Sequence, residues 1–299
     1  MTKQPAEHPD AGTADRLFAL LLAVLPHHLL SRGMHALTRW EYPPFKRLLI
    51  RWALKHYRID LSEAVDEDPE HYACFNAFFT RALKPEARPI ESSPDAVVSP
   101  VDAEVSQAGT VDDNWLVQAK GRYFTLEDLL GDADLARRFR GGSFATLYLS
   151  PRDYHRIHMP VAGSLERMIH IPGRLFSVNH ATTRAVPRLF ARNERIVNLF
   201  DTPAGPAAVV LVGAIFVGSM DTVWAGTVTP VERRVSQWRY DGEGSSPVRL
   251  DRGQEMGRFN MGSTVILLFP PGSVGWSDQF VAGSTVRVGK RIGHLEDRT

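Results

Sequence analysis

A serine, a histidine and an aspartate can together supply a nucleophile, a base and an orienting acid. Three stretches of this chain present them. The last is Gly257-Arg258-Phe259-Asn260-Met261-Gly262-Ser263-Thr264-Val265-Ile266-Leu267-Leu268-Phe269. Ser263 has a flexible glycine before it and a stiff apolar run after it, a setting that suits a serine attacking its own backbone. Read alone, Gly262-Ser263-Thr264 is more simply an ordinary turn into a strand.

The second stretch is Ser150-Pro151-Arg152-Asp153-Tyr154-His155-Arg156-Ile157-His158-Met159-Pro160, directly after the apolar run Phe144–Leu149. Histidine titrates nearest neutral pH, which general acid–base work requires. His155 and His158 could also begin a zinc site, but no third ligand is indicated, and no metal is expected. A hydrogen-bonded polar turn is the plain structural alternative. The third stretch, Ser99-Pro100-Val101-Asp102-Ala103-Glu104-Val105, sets Asp102 at a break in apolar sequence. Asp102 is either a routine turn residue or a carboxylate that orients a histidine.

Two further stretches are ambiguous. Pro172–His180 mixes an arginine, an aromatic and several hydrogen-bonding groups. Phe176, Ser177, Asn179 and His180 could receive a polar headgroup or form a loop with local caps. Val212–Ser219 reads as a buried strand with close backbone approach at its glycines. It lacks the lysine and the spacing of a phosphate loop.

These residues need a scaffold, and the periodicity gives one of class α+β. Residues 1–12 read as a disordered start, and residues 13–84 as a helical part. Its helices are expected from Thr13 to Pro26, from Leu29 to Trp40 and from Phe45 to Tyr57. Cys74–Leu83 is aromatic-rich and reads as buried, and Pro85–Pro100 as a connector. Residues 85–299 then read as a β-rich, barrel- or sandwich-like domain. Its strands are expected at Val97–Val105, Trp115–Gln118, Phe144–Leu149, Ala208–Ser219, Thr222–Val228, Ser263–Phe269 and Thr285–Val288. Helical interruptions are expected at Leu126–Leu130, Asp134–Phe139 and around Thr182–Phe190.

A chain of 299 residues can bury a sizeable core. Cys74 is the only cysteine, which excludes an internal disulfide and a cysteine-based zinc site. The net charge of +1 hides an asymmetry, because residues 16–58 carry eight basic side chains against one acid, Glu41. A basic, apolar front end points to an anionic surface. The apolar run Leu17–Leu25 is far short of the ~20 residues of a spanning helix. It is also preceded by Glu7, Asp10 and Asp15, which a secretory signal would lack. The front helices either lie in a membrane interface or cap the protein's own core.

Seven stretches, in this order, closely resemble the phosphatidylserine decarboxylase proenzyme family in its bacterial short form. They are FNAFFTRALKPEARPI, SPVDAEVSQAG, YLSPRDYHRIHMP, PGRLFSVNH, LFARNERI, LVGAIFVGSMDTVWAGT and GQEMGRFNMGSTVILLF. Two departures stand out. Met261 replaces the family's leucine, a volume-conserving change. Ala103 replaces the glycine after the motif's aspartate, which strains the backbone if that position needs positive φ.

The resemblance implies that the chain cuts itself between Gly262 and Ser263. Asp102 would steady His158, His158 would take the Ser263 proton, and Ser263 would become a pyruvoyl group heading fragment 263–299. This cofactor would bind the amine of phosphatidylserine, draw off electrons as carbon dioxide leaves, and yield phosphatidylethanolamine. His155 is the candidate for returning a proton or placing the carboxylate. The implied partners are fragment 1–262, phosphatidylserine and an anionic membrane; a homodimer stays open, and nucleic acid is not expected. The implied location is peripheral, on the cytoplasmic face of the bacterial cell membrane. Two other readings use the same residues: a serine hydrolase acting on an external substrate, and a lipid-binding β-domain without chemistry.

Overall fold

Pro43 and Pro44 open the helix Pro43–Tyr57, where the first turn has no use for their missing N–H groups. Lys55 and His56 lie in its last turn, where positive charge suits the helix dipole. Arg58 ends it in the left-handed region, its N–H bonded to the Leu54 carbonyl. Ile50 and Ala53 pack on Tyr72, Phe75, Phe78 and Phe79, a small core separate from the main one. Leu48 and Trp52 remain exposed. A preceding helix runs His27–Thr38, and the short helix Phe75–Phe79 carries the aromatic partners.

The computed structural model describes residues 12, 13, 15 and 27–296, except 120, 216–218, 229–233, 243–246 and 261–262. The expected disordered start, most of the expected first helix, and Met261 and Gly262 therefore lie outside the described residues.

The strand Ser263–Phe269 is buried at all seven positions, as a continuous apolar run requires. It pairs antiparallel with Ser143–Leu149 on one side and Gly205–Val212 on the other. It thus runs through the middle of a nine-stranded sheet. Beyond Gly205–Val212 come Arg195–Thr202, Gly163–Ile171 and Ser236–Arg239; beyond Ser143–Leu149 come Ala103–Thr110 and Thr285–Val286. The two edges are different strands, so the sheet is open. The α+β expectation holds, but the barrel does not form.

A smaller four-stranded sheet carries His158, and its last strand begins directly after His155. Its order is Gly226–Thr227, Met220–Thr222, Glu255–Phe259, Arg156–His158. Glu255–Phe259 leads within a few residues to Ser263, so the two sheets share the stretch that precedes the serine.

Several sequence expectations shift for local reasons. Thr222–Val228 is two short strands and a turn, with Gly226 in the left-handed region and the Thr222 hydroxyl accepting from the Ala225 N–H. The helix expected around Thr182–Phe190 breaks where extended Val186 precedes Pro187, leaving His180–Ala185 and Leu189–Arg192. Gly163–Ile171 and Arg195–Thr202 were hidden by interior charges. Arg195 is buried because its guanidinium is saturated by the carbonyls of Asp128, Leu129, Ala191 and Asn193. Ala103 does not occupy the left-handed region, so its replacement of glycine carries no strain.

Candidate active site

Ser263 is fully buried, and its Oγ has no hydrogen-bond partner among the described residues. It stands opposite Leu149 in the sheet register. The loop from Ser150 to Tyr154 therefore starts beside the serine and leads to both histidines. The Asp153 carboxylate accepts from the Ser150 N–H at 2.7 Å and tightens that loop. Burial pushes the Asp153 carboxyl up to about 6.

His155 lies at the end of this loop, completely buried, with its backbone carbonyl accepting from the Phe259 N–H. Its ring packs against Phe79 at a tilt of 42°, with centroids 4.1 Å apart. Its Nδ1 is 2.8 Å from the Asp153 carbonyl oxygen. A carbonyl only accepts, so Nδ1 carries the proton and Nε2 a lone pair. That Nε2 is buried without a partner. Burial pushes the His155 pKa down to about 3, so the ring is neutral near pH 7.

The same logic fixes the tautomer of His158. Its Nδ1 donates to the Gly253 carbonyl at 2.7 Å, and its Nε2 faces the Tyr154 hydroxyl at 3.2 Å. Burial lowers the His158 pKa and pushes the Tyr154 pKa up to about 12, so the phenol is the donor. Gly253 can offer this carbonyl because it adopts φ +79°, and an added Cβ would meet Ile90 at 2.7 Å.

Asp102 is held elsewhere. Its Oδ1 accepts from Arg88 Nε and from the Val288 N–H, each at 2.9 Å, while Arg88 Nη2 donates to Oδ2. Arg88 also pairs with Glu63 at 2.9 Å. Among the described residues no hydrogen bond joins Asp102 to His158, or His158 to Ser263. Asp102 still reaches His158 through space, as one of the charges that favour the imidazolium. Gly253 fills the orienting position at Nδ1. Arg88, Gly253 and Tyr154 carried no role in the sequence reading, although all three lie inside the motifs.

The four candidate headgroup residues are structurally engaged. Phe176 is buried, edge-on to His27 at 5.2 Å, with Asn193 bonding its backbone N–H and C=O. The Ser177 carbonyl accepts from the Thr182 hydroxyl, and Asn179 caps the helix His180–Ala185 by accepting from the Thr182 N–H. His180 pairs with Glu104 at 3.3 Å.

Position 263 fits a residue that ends as a carbonyl. A buried hydroxyl proton without an acceptor is costly, and conversion to a keto group removes that donor. As it stands, the arrangement offers a dry serine oxygen on a rigid strand and two neutral histidines with assigned lone pairs.

Comparison with known proteins bears on this arrangement. A family model described as phosphatidylserine decarboxylase matches residues 75–294, and a second, described as PSD, matches residues 17–58. The chain is 54% identical over 280 residues to a phosphatidylserine decarboxylase proenzyme of Azotobacter vinelandii, covering 93% of this chain and 98% of the relative. It is 53% identical over 279 residues to the proenzyme of Bordetella pertussis, covering 93% and 94%. The proenzyme of Pseudomonas fluorescens is 52% identical over 279 residues, covering 93% and 97%.

Proposed function

The chain belongs to the phosphatidylserine decarboxylase family, and we propose that it decarboxylates phosphatidylserine to phosphatidylethanolamine after cutting itself between Gly262 and Ser263. The observation that carries this reading is Ser263: a buried, unpartnered serine hydroxyl where the apolar strand begins.

Cleavage starts with removal of the Ser263 proton. His158 is the base, because Gly253 holds its Nδ1–H and leaves Nε2 as the lone pair. The Tyr154 hydroxyl covers Nε2 and must turn aside first. Asp102 stabilises the imidazolium through space. The Ser263 oxygen attacks the Gly262 carbonyl, and the amide becomes an ester. Loss of the Ser263 α-proton then expels the Gly262 carboxylate and leaves dehydroalanine. Hydrolysis releases ammonia and leaves a pyruvoyl group at position 263.

That group supplies an electron sink at the substrate's α-carbon. His155 is suited to the proton traffic: its neutral Nε2 takes a proton from the incoming ammonium and returns it to the carbon that has lost carbon dioxide. The dry surroundings, with Phe79 against His155, favour departure of a charged carboxylate as a neutral gas.

The substrate's acyl chains place the reaction at a membrane. Among the described residues no helix is long and apolar enough to cross one. We assign docking chiefly to residues 13–84 and the reacting groups to residues 85–299. Leu48 and Trp52 are exposed on one helix, and Leu29 on the one before it. Arginines and lysines between residues 16 and 58 add attraction for anionic headgroups. The cytoplasmic face is the side we assign.

Intact mass of the purified protein tests the core of this reading. A fragment 263–299 with a blocked amino terminus is expected, and Ser263→Ala should remain one chain and release no carbon dioxide from phosphatidylserine. An uncut wild-type chain that still turned over the lipid would overturn it.

A further inference from the structure

A cleft of about 1080 Å³ opens beside the loop between Ser263 and the histidines. Tyr148, Ser150 and Tyr154 line it, and Ser150 follows Leu149, the register partner of Ser263. Arg81 also lines it, although its side chain is deeply placed: only 6% of the residue is exposed. Its Nε and Nη1 have no hydrogen-bond partner among the described residues. Its one hydrogen bond among the described residues, from Nη2 to the Arg152 carbonyl, is long at 3.4 Å. Phe78 lies under the guanidinium, 5.6 Å from ring centre to carbon.

A buried guanidinium with two idle nitrogens is an unfavourable arrangement unless an anion completes it. Among the described residues no carboxylate does. Asp102 is gripped by Arg88 and the Val288 N–H, and Asp153 accepts from the Ser150 N–H. Neither forms an ion pair with Arg81, although both act on it electrostatically. Arg81 thus lines a cleft that comes within one residue of Leu149, the register partner of Ser263.

We propose that Arg81 binds the phosphodiester of the substrate headgroup. This rests on the decarboxylase reading and deepens it. The substrate offers two anions, a carboxylate and a phosphate, and the chemistry separates them. An arginine paired with the departing carboxylate would stabilise the ground state, since that charge moves away as carbon dioxide forms. An arginine on the phosphate keeps its partner throughout the reaction. It also holds the reacting carbon near position 263 at no cost to the chemical step. The fork geometry of arginine suits two phosphate oxygens.

The test is calorimetric titration with glycerophosphocholine, which carries a phosphodiester but neither a carboxylate nor a primary amine. Wild-type protein should bind it, and Arg81→Gln should weaken binding by about tenfold or more, the range of a lost charged hydrogen bond. The KM for phosphatidylserine should rise in parallel, with kcat changed far less. Arg81→Lys, which keeps the charge but not the fork, should fall between. Full self-cleavage in each variant shows that it has folded. If Arg81→Gln does not fold, protection of Arg81 from phenylglyoxal by glycerophosphocholine in the wild type decides. Unchanged glycerophosphocholine binding with a raised KM would move the contact to the carboxylate and overturn the proposal. So would failure of wild-type protein to bind the phosphodiester. A wild type that binds it yet releases no carbon dioxide would instead sink the decarboxylase reading and leave the anion site standing.

Discussion

His158 donates from Nδ1 to the carbonyl oxygen of Gly253, 2.7 Å away, and not to the carboxylate of Asp102. The peptide group thus fixes the tautomer and direction of the base, and the carboxylate acts from a distance. Gly253 reaches this position through its left-handed backbone, and a Cβ added there would meet Ile90 at 2.7 Å. Gly253→Ala should therefore misplace the carbonyl and cost about 1–3 kcal/mol of stability. We expect self-cleavage to slow by roughly tenfold or more, as misoriented catalytic groups do, read as the fraction of uncut chain over time. Cleavage at the wild-type rate would show that the Gly253 contact does not orient the base.

The two histidines should separate by experiment. His158→Ala removes the base and should leave the chain uncut. His155→Ala should still cut, because its Nε2 acts after the break, but should lose most carbon dioxide release. Gel electrophoresis and a carbon dioxide assay on the same samples read both steps. Equal loss of cleavage in the two variants would refute this division of labour.

Acid should destabilise the fold through His155. Its pKa falls from an ordinary 6.5 to about 3 in the folded chain because burial disfavours the cation. Between those values the unfolded chain holds a proton that the native chain lacks. Stability is therefore full above pH 6.5 and declines below it, by up to ~1.4 kcal/mol per pH unit for this one group. His158 acts in the same direction, also through burial. Asp153 opposes them: its carboxyl is raised to about 6 from an ordinary 3.8, so its contribution grows as pH falls from 6 toward 3.8. The melting temperature should start to drop between pH 6.5 and 6 and then fall less steeply. His155→Gln should flatten this acid limb; an unaltered slope would exclude His155 as its source.

Leu48 is 70% exposed and Trp52 is 49% exposed on the helix Pro43–Tyr57, while Ile50 and Ala53 of that helix pack inward. Replacing both exposed side chains with glutamine should leave the melting temperature nearly unchanged. Binding to anionic vesicles should fall by roughly tenfold or more, as expected for two apolar groups withdrawn from an interface. Vesicle sedimentation measures this, and equal binding by the double variant would place docking elsewhere.

Local sequence by itself determined the strand Ser263–Phe269, the helix Leu126–Leu130 and the helix ending at Tyr57. Their apolar periods, glycines and prolines act over a few residues, so neighbours suffice to specify them. It also marked Ser263, His155, His158 and Asp102 as reactive types in suggestive settings. Pairing was decided by the tertiary structure. Arg88 reaches Asp102 across fourteen residues, and Gly253 reaches His158 across ninety-five. The buried strand Arg195–Thr202 became legible only once distant carbonyls were seen to satisfy Arg195. Arg81 shows the same division: its charge is written in the sequence, but the two idle nitrogens that give it a purpose exist only where the fold has buried it. Hydrogen bonds and burial depend on what long loops bring together, and no spacing along the chain encodes that distance.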